Sequence, residues 1–186
     1  MIMQTFDLLR RINRAIALVV GLGLLICVGY VLLEILLRRF GTSLGGTTEI
    51  TGYVMAVTTA WGMGFALLEL SHIRIEILRT RFATGGRVFL DLLAMLLMAA
   101  TVIIIAFRAW PVLARSISNN SRANTVLETP LWIPQSLWFA GWVWFALMCS
   151  AVTLLCIALV FQGRFGAIER QIGIRNEVKD ELEQAR

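Results

Sequence analysis

The chain has 186 residues, of which 58% are hydrophobic and 16% charged, with a mean hydropathy of +0.77; that composition suits a bilayer and not a soluble surface. Its formal charge of +5 does not point to nucleic acid, because the 17 basic residues stand at the ends of apolar runs and form no single stripe interleaved with aromatics. Cys27, Cys149 and Cys156 lie inside apolar runs with no C-x-x-C pair, and the chain's lone histidine completes neither a zinc site nor a pair of axial haem ligands.

In chain order, MIMQTFDLLRRINR places Ile2, Phe6 and Leu9 at helical spacing, and this segment is expected to lie along the membrane interface before the first span turns inward. Ala15 to Leu33 is uncharged and long enough for about 28 Å of helix. No small-residue cleavage site follows it, so this run is expected to stay in the mature protein. At its end Glu34 and Arg38 stand i, i+4 in the order that favours a helical ion pair, and Arg39 follows. This is either an interfacial pair or an ion site.

The second run, Ile50 to Leu68, opens with Thr47, Thr48 and Glu49, where a hydroxyl cap and an acid suit a helix N-terminus. Inside it Gly52, Ala56, Ala60 and Gly64 recur every fourth residue, a small-residue stripe that lets backbones approach, within this chain or against another subunit. Trp61, near the middle of the span, needs a partner for its indole N–H. At the exit, Glu69, His72 and Glu76 share one helical face, as a structural cluster at the interface or as a proton relay.

The third run, Val88 to Phe107, follows the breaker Thr84-Gly85-Gly86 and has Asp91 in its first turn. The fourth lies within Thr129 to Gly163, and its excess length implies tilt or extension beyond the bilayer. Five of the six tryptophans, Trp110, Trp132, Trp138, Trp142 and Trp144, gather near the end of span three and the start of span four, reading as an interfacial belt or as a partner contact. The tail, 164–186, has Phe165, Ile168, Ile172 and Leu182 at roughly helical spacing.

The predicted fold is therefore an all-α integral membrane protein, a single domain over 1–186 with long, tilted spans at about 15–37, 49–70, 88–109 and 134–161. Basic residues set its orientation. Arg10, Arg11, Arg14, Arg74, Arg79, Arg81, Arg87, Arg164, Arg170, Arg175, Lys179 and Arg186 fall on one side, against Arg38, Arg39, Arg108, Arg115 and Arg122 on the other. Both termini are expected in the cytoplasm. No phosphate loop, nucleophile elbow or serine-histidine-acid set is evident, so no enzyme is expected.

Taken together, LLRRFG, then TTEITGYVMAVTTAWGMGFALLELSHIRIEIL, then TPLWIPQSLW resemble the small membrane subunit of tripartite ATP-independent periplasmic (TRAP) transporters, the DctQ-like family. The motif falls on Arg39 and Phe40, Glu49, Gly64, His72 and Glu76; the aromatic that usually precedes the span-two acid is replaced by Leu44-Gly45-Gly46. The resemblance implies a fixed scaffold in the bacterial inner membrane for a larger, DctM-like elevator subunit driven by sodium, with substrate captured by a separate periplasmic binding protein that docks on the outer face. The substrate would be a small organic acid or related solute. Sodium is then expected on the large subunit and no cofactor in this chain, while a bound phospholipid is compatible with the spans.

Candidate subunit-interface or structural residues are Arg39, Glu49, Gly52, Ala56, Ala60, Trp61, Gly64, Glu69, His72 and Glu76, and a candidate docking surface comprises Arg38, Arg115, Arg122 and Trp132. Two other readings are a homo-oligomeric exporter or channel using Glu34 or Glu69, which would move ions by itself, and the anchor of a redox enzyme, which would show haem absorption.

Overall fold

The computed structural model describes residues 2–69 and 84–163. Its four helices are α1 (Ile2–Arg39), α2 (Thr47–Leu68), α3 (Thr84–Ser118) and α4 (Trp132–Phe161), with no strand among the described residues. All four are long and apolar enough to cross a membrane. At 1.5 Å per residue they measure about 57, 33, 52 and 45 Å. Helix α2 matches the roughly 30 Å hydrocarbon layer closely, whereas the other three are much longer and must tilt or project beyond it.

Helix α4 is the centre of the bundle. It packs extensively on α3 and on α2, α1 packs mainly on α2, and α1 touches α4 only narrowly. Accordingly α4 contributes the largest share of the hydrophobic core cluster, with Phe145, Met148, Cys149, Val152, Cys156 and Leu159. Helix α3 meets it through Val88, Asp91, Met95, Ala99, Val102, Ala109 and Leu113, all buried, at spacings of three, four and seven that keep one stripe facing a neighbour. Pro111 lies inside α3 and the helix continues through it to Ser118; the lost backbone bond is tolerable because the break falls within the helix's last turns.

Helix α1 buries only Phe6, Asn13, Cys27 and Glu34. These four fall on one seven-residue repeat, on which Val20, a groove-lining residue, occupies the remaining place. A seven-residue repeat advances little around a helix, so a single narrow seam carries the fully buried residues of α1, flanked by half-buried residues such as Leu9, Ile16, Leu24 and Tyr30.

Two local expectations are corrected. The amino-terminal segment does not lie apart from span one; it is continuous with α1, because Phe6 is buried in the core with Ile2 and Leu9 packed against it. The hydroxyl cap of α2 is not formed: the N-cap is Gly46, in a left-handed conformation, with no side-chain cap bond, and the Thr47 hydroxyl has no partner. Helix α1 ends in a Schellman-type turn at Gly41 (φ 78°), where Thr42 N–H donates to the Leu37 carbonyl and Gly41 N–H to that of Arg38.

Candidate partner-contact surfaces

Two carboxylates fasten the connections at one end of the bundle. Glu34, 2% exposed, accepts hydrogen bonds from the Ser43 hydroxyl (2.7 Å), the Leu44 backbone N–H (2.8 Å) and Arg38 Nε (2.9 Å). The α1–α2 connection is thus tied back onto the helix it has just left. Tyr30 adds a bond from its hydroxyl to the Gly45 carbonyl (3.2 Å). Gly45 and Gly46 both have positive φ (71° and 66°), which a side chain disfavours.

Glu49, in the first turn of α2, does the same for the α3–α4 connection. Its carboxylate accepts from the Tyr53 hydroxyl (2.8 Å) and from the Thr125 hydroxyl, and Thr129 faces it as well. Residues 119–131 close on themselves through the bridge between Arg122 and Pro130. Their tip then lies over the first connection, with Val126 above Gly45 and Leu127 against Gly46, where any Cβ would collide with the leucine. The Leu44-Gly45-Gly46 segment, which lacks an aromatic, is what admits Leu127.

At the other end, Asn13 is fully buried, bonds α1 to α4 and packs against Gly64 of α2. Its amide nitrogen donates to the Leu9 carbonyl (2.9 Å) and to Met148 Sδ (3.2 Å), and its oxygen accepts from Trp144 Nε1 (3.1 Å). Gly64 leaves room for that oxygen: a Cβ there would stand 2.6 Å from it. Trp61 donates its indole N–H to the Leu137 carbonyl (2.9 Å) and stacks on Trp144 with ring centroids 6.3 Å apart. Trp144 therefore belongs to the bundle interior and not to an interfacial belt. Just beyond, Glu69 pairs with Arg14 at 3.7 Å.

The small-residue stripe of α2 divides. Ala60 and Gly64 are buried, Ala60 against Gly141 of α4, whereas Gly52 and Ala56 are exposed and no atom lies near a Cβ built on Gly52. Arg38, Arg39, Arg115, Arg122 and Trp132 are all exposed. His72 and Glu76 lie outside the described residues. Between α1, α2 and α4 runs an apolar groove of about 380 Å³, lined by Val19, Val20, Gly23, Tyr53, Val57 and Leu137 among others. The same face continues past Val57 to Trp61.

Asn13 and the latch contacts of Glu49 escaped the sequence reading. Asn13 carried one usable signal, its place in the repeat Phe6, Asn13, Val20, Cys27, Glu34.

Apolar helices of this length, joined by fastened connections and with polar groups spent on helix-to-helix and helix-to-loop bonds, define a multi-pass membrane protein. The chain belongs to the DctQ family, the DctQ component of tripartite ATP-independent periplasmic transporters, whose model matches residues 27–161. The match begins in the last third of α1 and ends with α4, so Asn13 lies before it. No curated protein and no solved structure matches the chain.

Proposed function

We propose that this chain is the fixed scaffold of a sodium-driven importer, holding a larger elevator-type subunit in register and helping a periplasmic binding protein dock. The observation that carries the reading is the family match across 27–161. The structure supports it physically: buried polar groups tie helices and connections together, an arrangement suited to a part that stays still while another moves. The cargo is a small organic acid or related solute, with its site and the sodium sites on the large subunit.

The bias of basic residues supports cytoplasmic termini in the bacterial inner membrane, which puts residues 40–46 and 119–131 on the periplasmic side. Large-subunit contacts fall on exposed helix faces such as Gly52–Ala56, where close backbone approach is free. A phospholipid acyl chain occupies the apolar groove beside Val20 and Val57.

Reconstitution tests this. Proteoliposomes containing the large subunit and this chain, supplied with loaded binding protein, are expected to accumulate solute down a sodium gradient, and omission of this chain to abolish uptake. Full uptake without it, or ion flux through this chain alone, overturns the reading.

A further inference from the structure

The loop 119–131 unites features seldom found together on a water-facing connection. Its tip residue Val126 is 86% exposed and Leu127 is 43% exposed, with Phe40, 82% exposed, on the companion connection. Yet the loop is held, by its own Arg122–Pro130 bridge, by Leu127 against Gly46 and by the hydroxyls that reach Glu49. An apolar tip on a preorganised loop loses little conformational freedom on binding, so the contact it makes is retained as affinity. Apolar anchors ringed by polar groups are where interfaces concentrate their energy.

Charge identifies the partner's complement. With Arg38 paired to Glu34 and Glu49 enclosed by hydroxyls, the other exposed charges on this side are Arg39, Arg108, Arg115 and Arg122 against Glu128. This basic rim suits an acidic surface and speeds its approach.

We propose that loop 119–131, positioned by Glu49, is a docking element for the periplasmic binding protein, Val126 entering an apolar recess on that partner whose rim is acidic and faces Arg122. The assignment rests on the scaffold reading given above and adds the element, the anchor and the chemistry of the partner surface. Glu49 is a positioning residue: it touches the loop and not the partner.

The test uses the complete membrane complex in nanodiscs and the intact binding protein. Val126→Asp is expected to weaken docking about tenfold or more, with amide hydrogen exchange of 122–131 unchanged. Arg122→Glu is expected to weaken docking and reduce its salt dependence. Glu49→Ala is expected to speed exchange across 122–131 and weaken docking, while Glu49→Gln, which keeps an acceptor oxygen, restores part of both. Wild-type affinity in both Val126→Asp and Arg122→Glu overturns the loop assignment and leaves the scaffold reading standing. So does loss of the large subunit from Val126→Asp, which would place the loop at the contact with that subunit. Failure of the wild-type complex to bind its partner overturns both.

Discussion

Trp144 donates its indole N–H to the side-chain oxygen of Asn13 at 3.1 Å, linking residues 131 positions apart across α1 and α4, whose mutual contact is otherwise slight. With lipid outside the bundle, apolar burial does little to drive helix association, so this bond and the close packing behind it register α1 against α4. Replacing Asn13 by Ala leaves the Trp144 N–H without an acceptor, and Trp144→Phe leaves the Asn13 oxygen without a donor. A double-mutant cycle on the two, measured by unfolding in detergent, is expected to give a coupling of about 0.5–1.7 kcal/mol. Additive effects would remove the node from the account.

Gly64 and Gly141 should be intolerant for the same reason. A Cβ at Gly141 would lie 2.8 Å from Ala60 Cβ and 3.1 Å from the Ala60 backbone carbon, and one at Gly64 would meet the Asn13 oxygen. Gly→Ala normally favours a helix by up to about 1 kcal/mol, so a loss of stability at either position measures overpacking of about 1–3 kcal/mol. Gly52→Ala meets nothing within 4 Å and should leave the isolated chain as stable as before or slightly more so. Thermal unfolding of the three alanine variants, without any partner, separates packing inside the chain from packing against another subunit.

Glu34→Ala removes the acceptor shared by Ser43, Leu44 and Arg38. The expected result is faster amide hydrogen exchange over 42–46, with the exchange of α1 before Gly29 unchanged. Glu34→Gln keeps one carbonyl oxygen and should preserve part of the protection. If Arg38→Ala alone gave the full effect, the ion pair and not the loop bonds would be holding the connection; the arginine side chain is 67% exposed, which argues for a small contribution from the pair.

The four spans were legible because three uncharged runs of nineteen residues or more, and one apolar run broken only by Asp91 near its start, have few alternatives, and the ordered motif from Arg39 to Glu76 carried the family. Side-chain roles were less legible where they depend on a distant partner. Asn13 stands between Arg11 and Arg14, where a polar residue looks like part of a headgroup-facing segment; only the position of Met148 and Trp144 makes it interior. The stripe of α2 reads as uniform, but α4 reaches it at Ala60 and leaves Gly52 and Ala56 uncovered. Likewise the i, i+4 pairing of Glu34 with Arg38 follows from spacing, whereas its bonds to Ser43 and Leu44 require the chain to double back beyond Gly41.

The proposed orientation makes the last prediction, and the native cysteines make it clean. Cys27, Cys149 and Cys156 are buried, at 7% exposure or less, so a membrane-impermeant maleimide should scarcely label the wild-type chain. Asn124 and Asp7 are exposed near opposite ends of the bundle, the first in the loop fastened to Glu49 and the second in the first turns of α1. In spheroplasts, Asn124→Cys is expected to react at once and Asp7→Cys only after the membrane is permeabilised, as cytoplasmic termini require. The reverse pattern would turn the fastened loops toward the cytoplasm and deprive the binding protein of the surface assigned to it, even with every contact within the bundle intact. Equal labelling of both sites in sealed spheroplasts would mean that the chain inserts both ways round, which a scaffold with a one-sided docking face cannot do.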